Sequence, residues 1–220
     1  MAQNKSTAVM QRRIEAHDSL DDFPTPPWAT RAVCEWLKNS GWKLPAMSVR
    51  EPCANRGYMV RPLGEYFGFV TASDVHDYGC GYPVQDYLFG PIDHFNTTDW
   101  TFMNPPFRLA AQFIERALQL SRWGVACIVR SAFLEGIERY ETLYRDRPPA
   151  HVLIHTERVP MVKGRYDPNA STATSYAWLI WHADIKDRVA PQIHWLAPCR
   201  KQLQRPDDSH PVMHAAQEEA

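Results

Sequence analysis

The chain lacks any run of about 18 apolar residues, so nothing in it reads as a membrane-spanning helix. It also lacks the apolar core of a secretory signal. The opening MAQNKSTAVMQRRIEAHDSLDD is polar, and a cytoplasmic location is expected. Cysteine is scarce. Cys34, Cys53, Cys80, Cys127 and Cys199 are scattered, odd in number and without a C-x-x-C pair, which speaks against a disulfide framework or a zinc site. His76 and Cys80 stand four apart with no second ligand pair, so no metal is expected. Net charge is lacking as well. With 24 basic against 25 acidic residues the balance is −1, which argues against nucleic-acid binding through bulk charge and leaves room for a local basic face. No internal repeat or low-complexity block is present.

What remains is 220 residues, 45% of them hydrophobic, enough for one sizeable α/β domain with its own core. Thr25 is placed to cap a helix whose first positions are Pro26 and Pro27. Trp28, Ala32, Val33, Trp36 and Leu37 share one face of that helix, and Gly41 ends it. A strand at 47–51, a helix at 59–67 and a strand at 69–72 follow. Residues 76–98 are loop-rich. A strand at 100–103 precedes an amphipathic helix at about 109–121. The continuous apolar run in WGVACIVR fits a strand buried on both faces of a mostly parallel sheet. A helix in RSAFLEGIERYETLYRD and strands in HVLIHTE and TSYAWLIWHA complete the alternation.

Between those last two strands lies RVPMVKGRYDPNASTA. A loop this long inside a domain is usually functional. Its Arg158, Lys163, Arg165 and Tyr166 suit phosphates and an unstacked base, beside the plainer reading of a solvated surface loop. Arg200, Lys201 and Arg205 make a second basic cluster. Residues 1–20 are expected to be a mobile tail and 186–220 a polar, partly disordered extension, with the folded domain at 21–185.

The chain is organised around Asn104-Pro105-Pro106-Phe107, at a strand-to-helix crossing. In an open α/β sheet that is the carboxyl edge, where ligands bind. Two consecutive prolines supply no N–H and hold the backbone extended. The Pro105 carbonyl and the Asn104 side-chain oxygen can then point the same way, with Phe107 offering a flat apolar face beside them. The set suits holding a planar group that carries an NH₂.

The stretch DWTFMNPPF resembles motif IV of S-adenosylmethionine-dependent amino-methyltransferases. DFPTPPWAT, with Thr25, Pro26 and Trp28, resembles the motif that meets the methionine end of the cofactor. EPCANRGYMV resembles the acidic-Pro-x-x-Gly-x-Gly turn, with Glu51, Pro52 and Gly57 kept and Asn55 standing where the first glycine is usual. Asn tolerates positive φ better than other residues with a side chain, so the turn can still form. The resemblance assigns Asp74 to the ribose hydroxyls, Val75 and Phe113 to the adenine faces, and Asp86 with Tyr87 to the adenine amine of the cofactor. The motif order is similar to that of DNA adenine N6-methyltransferases, and the wording of the segments to small phage-type enzymes, over residues 22 to 183.

The resemblance implies a Rossmann-like α/β fold, a mostly parallel sheet with a final antiparallel strand and helices on both faces. It implies S-adenosylmethionine as cofactor, double-stranded DNA with a flipped adenine as substrate, and transfer of a methyl group to N6. Asn104 and Pro105 would accept the two amine N–H bonds, and Phe107 would stack on the base. Two other functions fit the same residues: methylation of another planar amine, on an RNA base or a protein glutamine, and a non-enzymatic nucleic-acid binder on a degenerate scaffold. Few residues follow the last clear strand, so target recognition would come from loops, a second copy of the chain or a separate protein.

Overall fold

The computed structural model describes residues 20–183 and 190–213. The expected N-terminal tail therefore lies outside the described residues except for Leu20, as do residues 184–189 and 214–220. Seven strands form one sheet: β1 Ser48–Glu51, β2 Phe69–Ala72, β3 Thr98–Met103, β4 Ser121–Arg130, β5 His151–His155, β6 Tyr176–His182 and β7 Gln192–Leu196. Their spatial order is β2-β1-β3-β4-β6-β5-β7. Every strand runs the same way except β6, which is antiparallel to both β4 and β5. The mostly parallel sheet is as expected, but the antiparallel strand is not the last. A strand not foreseen, β7, pairs with β5 at the edge.

The helices are α1 Pro27–Asn39, α2 Val60–Tyr66, α3 Ala110–Leu120, the single turn α4 Ile137–Arg139, which runs on as a π turn through Tyr144, and the short α5 Arg200–Leu203. They divide between the two faces of the sheet, and the side chains of β4 show why. Ala126 and Ile128 join Trp28, Val33 and Leu63 of α1 and α2 in one core cluster. Val125, Cys127 and Val129 join Phe113, Ile114 and Ala117 of α3 in a second. A two-residue period with apolar groups on both sides is what a central parallel strand requires. At Gly124 an added Cβ would stand 2.4 Å from the fully buried Trp100 ring, so glycine there is the space that Trp100 fills.

α1 departs from expectation at its start. Pro26 occupies the capping position and no side chain caps the helix; Thr25 is buried one residue earlier. Pro27, with its preset φ, replaces a capping bond as the starting device. Gly41 ends the helix as expected, at φ +95°, with Trp42 N–H donating to Leu37 O at 3.2 Å.

The expected break after 185 does not hold for residues 190–213. β7 extends the sheet, Leu196 lies in the first core, and Asp208 is buried. Arg31 of α1, 1% exposed, donates to both Asp208 carboxylate oxygens and to both oxygens of Glu65 at 2.7–2.8 Å. Arg200 and Arg205 of the second basic cluster have partners within the chain, Gln204 and Glu65. Among the described residues no helix is long and apolar enough to cross a membrane.

β1, β2 and β3 are parallel neighbours, so their carboxyl ends share one edge of the sheet. Glu51 closes β1, Asp74 lies two residues past β2, and Asn104 follows β3 directly. Topology thus gathers three widely separated polar residues at one place.

Candidate functional site

At that edge lies a partly open cavity. Its walls come from Leu20, Asp21 and residues 23–25, residues 51–55 with Tyr58 and Met59, Asp74 and Val75, Tyr78, Gln85 and Tyr87, and Asn104 and Pro106 with Phe113. The turn begins at Glu51, which is fully buried. One of its oxygens accepts from Cys53 N–H at 2.8 Å, while Oε2 is buried without a partner. Burial pushes the Glu51 pKa well up; the Cys53 N–H opposes that and the charge of Asp74 adds to it.

Asn55 adopts φ +50°, the left-handed conformation that a glycine would otherwise supply. Its N–H donates to Asp74 Oδ2 at 2.9 Å, and its side-chain NH₂ donates to Asp22 at 2.8 Å. The Asn55 amide oxygen accepts from Arg56 N–H at 2.8 Å, and Asp22 also pairs with the Arg56 guanidinium at 3.0 Å. The residue that departs from the glycine pattern is therefore a junction between the turn and residues 20–25. Asp74 accepts from Asn55 and His76 backbone N–H groups, and burial nevertheless raises its pKa.

The tetrad is held by the same N-terminal segment. Asn104 donates through Nδ2 to Phe23 O at 2.8 Å, which leaves Oδ1 as its accepting atom at the cavity. The Phe107 N–H, which is the first backbone donor after two prolines, is bound by Asp21 Oδ2 at 2.8 Å. Pro105 is buried, and among the described residues no donor reaches its carbonyl. The Phe107 ring lies beside Phe23, centroids 5.9 Å apart, and beneath the Arg130 guanidinium at 3.8 Å.

The structure brings together most of the residues singled out from the sequence and not all of them. Thr25, Glu51, Pro52, Asn55, Asp74, Val75, Tyr87, Asn104, Pro106 and Phe113 line the cavity. Pro26, Trp28, Pro105 and Phe107 do not. Trp28 is fully buried, edge-on to His155 at 5.3 Å, because its helix face is the core face. Gly57 does not line it either. A Cβ there would meet Tyr82 Oη at 2.3 Å and Val212 Cβ at 2.7 Å, so its closeness is to this chain's own C-terminal segment. Asp86 is exposed and accepts from Leu88 N–H in a local turn, leaving Gln85 and Tyr87 on the wall.

Tyr166 is a further correction. It is 6% exposed and packs on Tyr58 of the cavity wall at 5.8 Å, so its ring has no free face for a base. Arg158, Lys163 and Arg165 are exposed, on a loop that touches the site: Met161 Sδ lies 3.8 Å from Asn104 Nδ2, and Gly164 N–H donates to Asp22 O at 2.8 Å. Asp21, Asp22, Phe23 and Arg130 were missed from the sequence. The one signal for the first three was their place directly before Thr25. No group of three or more metal-ligating side chains set to hold an ion exists among the described residues.

No protein-family model matches the sequence, and no curated protein matches it. Solved structures do match in fold. A type I restriction-modification system methyltransferase subunit from Streptococcus thermophilus superposes with TM-score 0.60 at 11% identity, over 89% of this chain and 51% of that one. A Listeria monocytogenes protein assigned to the class I S-adenosylmethionine-dependent methyltransferases gives 0.58 at 12%, over 81% and 67%. A Pyrococcus horikoshii protein assigned as an RNA methyltransferase gives 0.51 at 14%, over 72% and 83%. The chain spans about half the length of the restriction-system subunit it matches. At these identities the likeness establishes the fold: the α/β sheet is that of class I methyltransferases.

Proposed function

We propose that the protein is an S-adenosylmethionine-dependent methyltransferase acting on a planar exocyclic amine, the N6 of adenine in DNA, with the base flipped out of the duplex. The observation that carries the reading is the pairing, in one cavity, of two atoms that await a partner: the buried Oε2 of Glu51 and the Oδ1 of Asn104, whose amide is turned by its bond to Phe23 O.

The cavity fits the cofactor by its donor set. Glu51 Oε2 would accept from the methionine ammonium, which removes the cost of a buried unpaired oxygen. Asp74 keeps lone pairs beyond its two backbone bonds and would take ribose hydroxyls. Val75, Tyr87 and Phe113 give apolar faces for the adenine ring. The cofactor supplies a methyl group on a positively charged sulfur.

The remaining chemistry belongs to the tetrad. An aromatic amine is a poor nucleophile because its lone pair is delocalised into the ring. Asn104 Oδ1 and the Pro105 carbonyl would each accept one N–H, which draws electron density to nitrogen and favours a tetrahedral amine. Both acceptors also stabilise the positive charge that develops there, so no base is needed before transfer, and the amine would lose its extra proton to solvent once the new N–CH₃ bond has replaced the sulfur–methyl bond. Rigidity matters as much as polarity. Two prolines and the Phe23 and Asp21 contacts fix these groups beforehand, and orientation of this kind accounts for much of a barrier reduction. A duplex buries N6 in base pairing, so flipping is required, at a few kcal/mol.

The test is direct. The protein is incubated with S-adenosylmethionine and, separately, unmethylated duplex DNA, single-stranded DNA and RNA. The nucleic acid is digested to nucleosides and read by mass spectrometry, with Asn104→Ala alongside. N6-methyl-deoxyadenosine from the wild type, absent with the variant while cofactor binding persists, is the expected result. A methylated base in the RNA pool alone, or undiminished turnover by Asn104→Ala, would overturn it.

A further inference from the structure

Arg130 ends β4 on the tetrad side of the sheet and is not used by the chemistry above. Its guanidinium lies 3.8 Å from the centre of the Phe107 ring, on one face of it. It has no hydrogen-bond or ion-pair partner among the described residues, and its Nε is buried without one. Other arginines of the chain are engaged: Arg56 with Asp22, Arg139 with the carbonyls of Phe133 and Glu135, Arg158 with Ala173 O and Ser175 Oγ. A half-buried cation held only by an aromatic face is short of an anion.

Its surroundings say which anion. Phe23 lies beside the ring and Arg130 covers one of its faces, so a base stacking on the covered face would have to displace the guanidinium. Arg158 reaches the same strand end, since its partner Ser175 accepts, through its carbonyl, from Ser131 N–H, next to Arg130. Arg130 thus stands on the ring of the tetrad, and Arg158 is anchored to the residue that meets the end of the same strand. The planar fork of arginine matches a phosphate in two-point contact, and phosphate contacts are what fix a strand's register.

We propose, resting on the nucleic-acid methyltransferase reading, that Arg130 is a positioning residue for the substrate strand. It covers Phe107 in the free enzyme and gives that face up to the incoming base. It then binds a phosphodiester of the strand that carries the flipped nucleotide, with Arg158 beside it. Covering Phe107 in the free state keeps the ring from water, and the exchange couples base entry to strand capture.

The experiment compares wild type, Arg130→Gln and Arg130→Lys. Binding of an unmethylated duplex oligonucleotide and of its single strand is measured by fluorescence anisotropy between 50 and 200 mM salt. KM for the duplex and the Kd for S-adenosylmethionine are taken for each protein. Loss of one phosphate contact should flatten the dependence of log K on log salt by about 0.9 for the duplex and about 0.7 for the single strand. Arg130→Gln should show that change with a raised KM for DNA and an unchanged cofactor Kd. Arg130→Lys, which keeps a point charge, should retain the wild-type slope. An unchanged slope in Arg130→Gln, or an equal flattening in Arg130→Lys, overturns the phosphate role. If the wild type transfers no methyl group to any nucleic acid, the parent reading fails instead, whatever the slopes show.

Discussion

Replacing Glu51 by Gln should make the free protein more stable and the cofactor complex weaker. Glu51 is fully buried, bonded on one side to Cys53 N–H and unpaired on the other. Gln keeps the accepting oxygen and the volume and removes the charge. A buried neutral polar atom left unpaired costs about 1–3 kcal/mol and a charged one more. Stability at pH 8 should therefore rise by on the order of 1–2 kcal/mol, or roughly 2–8 °C in Tm for a chain of this size. The pH dependence follows from the direction of the shift. Burial raises the Glu51 pKa above its unfolded value, so between the two the native state holds the extra proton. Wild-type stability then falls as pH rises through the raised pKa, and the variant should escape that loss. Below about pH 4, near the unfolded pKa of about 4.3, the two proteins should converge. The same substitution removes a charged acceptor for an ammonium group, worth about 1.5–3 kcal/mol, so the Kd for S-adenosylmethionine should rise roughly 10- to 150-fold. Thermal melts at pH 5 and pH 8, with and without cofactor, measure both. A variant that melts below wild type at pH 8, or that binds the cofactor as tightly, would refute the assignment of Glu51.

Three further substitutions test other parts of the site. Phe107→Trp should keep more kcat/KM than Phe107→Ala, since base stacking is worth about 1–3 kcal/mol; equal loss in steady-state assays would remove the stacking role. Gly57→Ala places a Cβ against Tyr82 and Val212 at φ +79°, and should lower the urea midpoint by the equivalent of about 1–3 kcal/mol. Asp208→Ala leaves Arg31 buried with Glu65 as its one carboxylate beside the Leu203 carbonyl, and should cost about 3 kcal/mol, read as a lower urea midpoint at unchanged slope.

Local rules carried much of the fold. β2 lies at Phe69–Ala72 as its β-branched and aromatic residues indicate, and α1 and α3 follow their apolar faces. The site's outline was legible because strand ends are where topology puts ligands: Glu51, Asp74 and Asn104 could be found one at a time and trusted to meet. Relations across the chain were not legible. Whether Trp28 faces cofactor or core depends on what packs against α1, and its periodic face serves either. Tyr166 has the composition of a nucleic-acid contact, and only the position of Tyr58 shows that it is wall packing. β7 alternates with its apolar Ile193 and Trp195 on the exposed side, at 54% and 68%, and Gln192 and His194 on the other, the reverse of the pattern that marks a strand with a buried apolar face. Arg130 carried no local signal at all, since its meaning lies in the ring beneath it.

The turn that shapes the cavity is completed by residues that lie far downstream of it in the chain. Arg56 O is bound by Val212 N–H, Gly57 is fitted against Val212, and Arg31 waits for Asp208. On a ribosome adding roughly 5–20 residues per second, these contacts form on the order of ten seconds after the turn itself has emerged. A nascent chain thus passes through an interval in which most of the sheet can assemble around an unfinished pocket, which closes only once Asp208 and Val212 have emerged.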